Sequence, residues 1–246
     1  ERIGKLEESL IELLSHASIQ GNHFIAQVLS LTIGQSEKDT LLTLSKTLQK
    51  QHNLVNETTC YRNGQQIISK FNFSNYIFRQ YLYQELSFSQ KMLLHSEVAG
   101  ILEDIFKNTI EDVAPDIARH YELSGEYEKF FTYSLITIRR MLKVSAYTEA
   151  NVLIDKTLNY ITEHDLKEQE AKNYFDLKCK KYLCLRAIKG WGNMEAYQLL
   201  IELQELATKI SDYSFHSTIL FGIWTVHLSR LELKSCLKIA LENVAR

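Results

Sequence analysis

Eight histidines and four cysteines are the residues of this chain best suited to hold a metal or move protons. The histidines are His16, His23, His52, His95, His120, His164, His216 and His227. A zinc hydrolase sets two imidazoles one helical turn apart with a glutamate between them, so that all three share a face. No His-Glu-x-x-His run occurs, and no histidine stands at zinc-finger spacing from a cysteine pair. His95 and His120 fall on helix faces that indicate packing and hydrogen bonding rather than catalysis. Cys60, Cys179, Cys184 and Cys236 form no Cys-x-x-Cys and no disulfide framework, and read as reduced, mostly buried thiols. Acyl transfer would call for a Gly-x-Ser-x-Gly elbow and dinucleotide chemistry for a Gly-x-Gly-x-x-Gly turn; neither is present. Glu7-Glu8 and Glu168 with Glu170 read as solvated helix faces rather than as an acid/base pair. The expectation is a chain with no catalytic residues, no bound cofactor and no metal site.

What positions these residues is expected to be helix. One proline and nine glycines in 246 residues leave almost nothing to interrupt an i to i−4 ladder. Apolar residues at 45% and charged residues at 24% give enough apolar mass for a core, which excludes a disordered chain. The 28 basic and 30 acidic side chains leave a formal charge of −2, without the basic excess of a general nucleic-acid binder. No apolar run reaches the ~20 residues of a membrane span, and no signal peptide is visible, so the expected location is cytoplasmic. The first residue is Glu1 rather than methionine, and a preceding segment is expected.

The periodicity predicts helices over 5–15, 23–31 and from Ser36 to near His52, the last with Ser36 as cap and Asp39 at the third position. Phe24, Val28 and Leu31 share one predicted face. Runs 54–61 and 65–73, rich in Val, Ile, Thr, Tyr and Phe around Arg62-Asn63-Gly64, predict a hairpin. Three helices and a hairpin make a winged-helix-like start over 1–88. Ser74 is expected to cap helix 75–86, with Ile77, Phe78, Tyr81, Leu82 and Leu86 on its apolar face, and Ser89 to cap helix 90–107, with Leu93 among its inward residues. Pro115 suits the first turn of a helix ending before Gly125, and 89–125 reads as connecting helices.

From 126 to 246 the pattern is of paired helices, at 127–144, 147–162, 167–189, 194–210, 213–229 and 232–245. Their breaks are Ser145-Ala146, Glu163-His164-Asp165, Gly190-Trp191-Gly192 and Ser211-Asp212. Ala150, Ala196 and Cys236 occupy equivalent small-residue places in AYTEA, GNMEA and LELKSC, while Phe130 stands at that place in GEYEKF. Such a recurrence marks helical hairpins of tetratricopeptide-like type with stretched spacing, a non-repeating bundle being the alternative. Tyr121, Tyr127, Phe130, Phe131 and Tyr133, like Trp191 and Trp224, read as core rather than as a ligand pocket, and Gly222 as a place where helices approach closely. The fold class is thus mainly α: a winged-helix-like part with one β-hairpin, then a helical-hairpin array.

The runs KLEESLIELLSHASIQGNHF (5–24), KFNFSNYIFRQYLYQEL (70–86), QKMLLHSEVAGILE (90–103) and IARHYELSGEYEKFFTYS (117–134) resemble the winged-helix region of signal-transducing ATPases of the STAND class. The likeness is to those joined to adenylate or guanylate cyclase domains, and more distantly to the maltose-regulon activator group. Residues 189–241 are similar to the tetratricopeptide-like region of such proteins. The resemblance implies a preceding P-loop domain carrying ATP or ADP with Mg; no Gly-x-x-x-x-Gly-Lys-Ser/Thr lies within this chain. Where the family has Phe-x-His, a histidine that senses bound diphosphate in related switch ATPases, this sequence reads Phe73-Ser74-Asn75. Asn75 donates a hydrogen bond but carries no charge. Arg79 matches a family arginine, which either contacts the preceding domain or lies on a solvated face.

The implied function is a non-catalytic regulatory and protein-interaction region, its partners another protein or the parent's own nucleotide-binding and effector domains. The alternative is part of a transcriptional regulator binding DNA through the winged helix. Its recognition segment, 37–52, holds Lys38, Lys46 and Lys50 but also Glu37 and Asp39 and no arginine, which argues against base readout. Lys178, Lys180 and Lys181 read as a solvated face rather than a phosphate site. Neither nucleic acid nor membrane is an expected partner.

Overall fold

The computed structural model describes residues 6–210 and 215–244. The protein is mainly α, with a small three-stranded antiparallel sheet near its start followed by a helical array. It divides into two compact units, Glu1–Tyr133 and Ser134–Arg246.

The first unit runs α1 (Glu8–Gln20), β1 (His23–Ile25), α2 (Ala26–Thr32), α3 (Glu37–Leu42), a π-helical segment (Thr43–Gln51), β2 (Val55–Asn63) and β3 (Gln66–Phe73). The strand order β1-β3-β2, with the β2–β3 hairpin as wing, is a winged-helix layout. It continues through α4 (Tyr76–Glu85), α5 (Phe88–Ile105), α6 (Ile110–Ser124) and the start of α7 (Tyr127–Lys143). Residues 89–125, set apart above as a connection, pack into this unit, with α5 against α1, α2 and α6. Aromatic rings fasten sheet to helix: Phe24 of β1 stacks on its cross-strand partner Phe71 at 5.9 Å and meets Phe73 at 5.3 Å, and Phe73 meets Phe78 of α4 at 6.4 Å. Around them Leu14, Leu29, Leu44 and Leu48 are fully buried.

Several local elements differ from the sequence pattern. Residues 23–31 are not one helix, because His23–Ile25 pair with Lys70–Asn72 and only Ala26–Thr32 coil. Leu31 is accordingly exposed. The wing turns at Gly64-Gln65, one residue beyond Asn63-Gly64, with Asn63 still paired to Gln66. Asn75, not Ser74, caps α4, and Ser87, not Ser89, caps α5. Ser87 wins because Gln90 stands three residues on: its amide N–H donates to the Ser87 hydroxyl while its side-chain oxygen accepts the Ser87 N–H, a full capping box. Helix α6 starts five residues before Pro115, which therefore sits in the helix interior. Ser36 caps α3 through the Asp39 N–H, as expected.

In the second unit α7 ends and α8 (Tyr147–Glu163), α9 (Ala171–Lys189), α10 (Met194–Ile210), α11 (His216–Ser229) and α12 (Leu233–Val244) follow. Each of α8 to α12 packs on the next. Residues 167–170 form turns rather than the start of α9, and Ser211-Asp212 lie outside the described residues. Ala150, Ala196 and Cys236 are all buried in the first turns of α8, α10 and α12, where a small side chain lets the next helix close in. Gly222 of α11 does the same: a Cβ there would lie 2.6 Å from the Tyr182 hydroxyl and 2.8 Å from Leu200 Cδ1.

The connections share one backbone device. After α6, α7, α8 and α11 the next two N–H groups fold back on the last turn, as in Glu126 N–H to Tyr121 O (3.0 Å) and Gly125 N–H to Glu122 O (3.3 Å). The left-handed residue is Gly125, Ser145, Asp165 and Leu231 in turn. The same cap therefore ends four of the helices and turns the chain at each.

Candidate functional site at the end of α1

Helix α1 ends against Gly21 with no basic residue of its own in the last turn, so its carbonyls and negative dipole end need donors from elsewhere. Two arginines supply them. Arg79 of α4 donates from Nη1 to Ser18 O at 3.3 Å, and Arg119 of α6 from Nη2 to Gln20 O at 2.7 Å.

From Arg119 a chain of polar groups runs through the helices. Arg119 Nη2 lies 3.0 Å from His120 Nε2, His120 Nδ1 lies 2.7 Å from His95 Nδ1, and His95 Nε2 lies 3.1 Å from the Tyr83 hydroxyl. A guanidinium only donates, which fixes the protons along the whole chain. His120 Nε2 accepts, so His120 carries its proton on Nδ1 and donates to His95 Nδ1. His95 then carries its proton on Nε2 and donates to Tyr83. Four helices are joined by donors that run outward from Arg119 of α6, one way to Gln20 O of α1 and the other through His120 and His95 to Tyr83 of α4.

Both imidazoles are buried and neutral. Burial, with the Arg119 charge added, brings His95 from 6.5 down to about 4. His120 is held well below the ordinary range by burial first, then by Arg119 and His95. Burial also lowers Arg119, partly countered by Asp116. Every ring nitrogen of the pair has a partner, so neither offers a free lone pair to a metal or to a substrate proton. Beside the pair lies a cavity of about 260 Å³ lined in part by Gln20, His23, Phe24, Lys70, Asp116 and His120.

Asn75 and Arg79, the residues the resemblance singled out, lie at the two ends of one helical turn. The Asn75 side-chain oxygen accepts the N–H groups of Ile77 (2.8 Å) and Phe78 (3.2 Å). The Arg79 guanidinium, besides holding Ser18 O, lies 5.3 Å from the Tyr76 ring and 5.7 Å from the Tyr83 ring. Asn75 thus caps α4, and Arg79 holds α1 while its buried Nε has no hydrogen-bond partner.

Several large apolar side chains of this region are exposed. Ile77 and Tyr81, expected inward, are exposed one turn apart on α4, with Tyr76 beside them; Ile77 is 74% accessible. Phe88 at 78% and Leu93, also expected inward, stand out on α5. Sequence periodicity marked Ile77, Tyr81 and Leu93 as apolar without telling core from surface.

The other sequence candidates are placed as follows. Tyr121, Phe130 and Phe131 are buried, while Tyr127 is exposed. Tyr121 donates to Glu103 at 2.8 Å, and burial and that carboxylate both push its hydroxyl up. Lys178 pairs with Glu202 at 2.5 Å, Lys181 with Asp155 at 2.6 Å and Lys180 with Asp176, so the basic cluster is neutralised. Burial raises the Cys184 thiol to about 11, and Cys60 alone of the cysteines is exposed. Among the described residues no group of three or more metal-binding side chains occurs. No described helix is long and apolar enough to cross a membrane. Trp191 is no core residue, as the sequence reading had it, but is 46% accessible.

Fold and site together define a mainly α protein whose winged-helix-like unit is tied by a buried histidine–arginine chain and is followed in sequence by a helical array. No protein-family model matches the chain, and no curated protein or solved structure matches it either.

Proposed function

We propose that the chain is the regulatory and protein-interaction region of a larger signal-transduction ATPase of the STAND class. Its winged-helix-like unit couples to a nucleotide-binding domain and its array receives a protein partner or the parent's effector domain. The observation that supports this reading is the exposed apolar side chains Tyr76, Ile77 and Tyr81 on α4 and Phe88 and Leu93 on α5. Apolar surface concentrated on consecutive helices marks a docking site more often than an idle surface. In this reading ATP or ADP with Mg is held by the partner domain. A partner that bound the array differently in two states would shift the equilibrium between them by its differential affinity.

Ile77→Asp with Phe88→Asp in the longer protein is the test. The expected result is a changed nucleotide-hydrolysis rate with unchanged melting of the 246-residue chain. Unchanged hydrolysis and unchanged oligomeric state would overturn the coupling, and a parent without a P-loop would overturn the class.

A second reading, a transcriptional regulator, is favoured by the β1-β3-β2 sheet and by the exposed Lys38, Lys46 and Lys50 beside it. Each phosphate neutralised would contribute about −0.9 to the salt slope of binding. Duplex DNA that does not bind at low salt removes this reading.

A further inference from the structure

The turn between α9 and α10 carries aromatic surface that the array does not bury. Trp191 meets Phe221 of α11 edge-on at 6.1 Å, and Phe221 stacks on Trp224 at 5.9 Å. Trp191 and Phe221 are 46% and 50% accessible. The turn lies flat on α11 because Gly192 has no side chain; a Cβ there would stand 2.9 Å from Ser229 Oγ.

Two arginines flank this surface. Arg186 of α9 lies over the Trp191 ring at 4.4 Å. Arg230, just past α11, touches Met194 Sδ at the start of α10 and lies 5.9 Å from the Tyr197 ring. Neither pairs with a carboxylate among the described residues, and the acids nearby are already taken: Glu195 by Lys189 and Glu232 by His227, each at 2.5 Å. Arg186 also bonds the Tyr182 hydroxyl, so each guanidinium is ordered by neutral partners and its charge is left to attract a carboxylate. Trp and Arg are also the residues that dominate binding energy at interfaces.

We propose that this surface binds an acidic peptide segment carrying an aromatic or large aliphatic side chain. Its carboxylates meet Arg186 and Arg230, and its apolar side chain covers Trp191 and Phe221. Single-stranded nucleic acid also uses aromatic rings and cations, but needs a basic track along its backbone. The α9 lysines Lys178, Lys181 and Lys189 are instead paired with acids. The inference rests on the reading of the array as a partner-binding surface and names the partner's chemistry.

The test is selection of random short peptides on the whole chain, followed by titration of the selected peptides. Trp191 and Trp224 are the only two tryptophans of the sequence, so intrinsic emission reports this patch directly. Selected peptides should place Asp or Glu beside Phe, Trp, Tyr or Leu, and should shift the emission on binding. Arg186→Glu with Arg230→Glu should weaken them about tenfold or more. Arg230→Glu alone, at an exposed position, serves if the double variant melts early. Peptides without acidic enrichment, equal binding by the charge-reversed chain, or tighter binding of a single-stranded oligonucleotide at the patch would overturn the proposal. These substitutions leave the α4 face untouched, so Ile77→Asp with Phe88→Asp reports on the coupling to hydrolysis independently.

Discussion

Acid should loosen the first unit through its histidine pair, and the size of the effect follows from the buried state of His95. In the unfolded chain this imidazole takes up a proton near 6.5; in the folded chain it does so only at about 4. Below 6.5 the unfolded state therefore binds a proton that the folded state refuses, and stability falls as pH falls, until the folded form also protonates near 4. Each pH unit of difference corresponds to about 1.36 kcal/mol, so His95 contributes roughly 3 kcal/mol at neutral pH that is lost across this window. His120, displaced in the same direction, steepens the loss. Geometry explains why neither folded imidazole can take the proton cheaply. A charged His95 would aim Nδ1–H at the Nδ1–H of His120, and a charged His120 would aim Nε2–H at Arg119. The assay is urea unfolding of the wild type and of His95→Gln between pH 7.5 and 4.5, beside long-range proton–nitrogen correlation spectra of the imidazoles. His95→Gln should be the less stable protein at pH 7.5, and the gap should close by about 2.5 kcal/mol at pH 4.5. The spectra should show His120 protonated at Nδ1 and His95 at Nε2. A gap independent of pH, a His95 midpoint near 6.5, or the opposite tautomers would refute the donor chain.

Three further outcomes are expected. Gly222→Ala should destabilise the array, because its methyl group would enter the space of Tyr182 and Leu200, both buried; overpacking of about 1–3 kcal/mol outweighs the ~1 kcal/mol helix-propensity gain, and melting followed by tryptophan emission reads it. Leu231→Gly should raise the melting temperature, since Leu231 sits at φ +61° and is 80% accessible, so relief of about 1–2 kcal/mol of left-handed strain exceeds the entropy cost of glycine. Asn75→Ala should cost about 1 kcal/mol in urea unfolding while Asn75→Asp restores the cap; an equal loss in both would mean that Asn75 does more than cap α4.

The sequence by itself determined the helical class, most of the helix bounds in the second unit and the small residues Ala150, Ala196, Cys236 and Gly222 at the helix crossings. Those features are local: apolar spacing, a near absence of proline and polar breaks act within a few residues of chain, whatever lies across from them. Tertiary structure decided what depends on distant partners. Phe24 left its helical pattern because Phe71, far along the chain, offered a strand and a ring to stack on. His95 and His120 met because α5 and α6 fold back on one another, and Arg119 then set their protons. The same distance effect exposed Ile77, Phe88 and Trp191: hydrophobic spacing records that a side chain is apolar, while only the packed neighbours decide whether anything covers it.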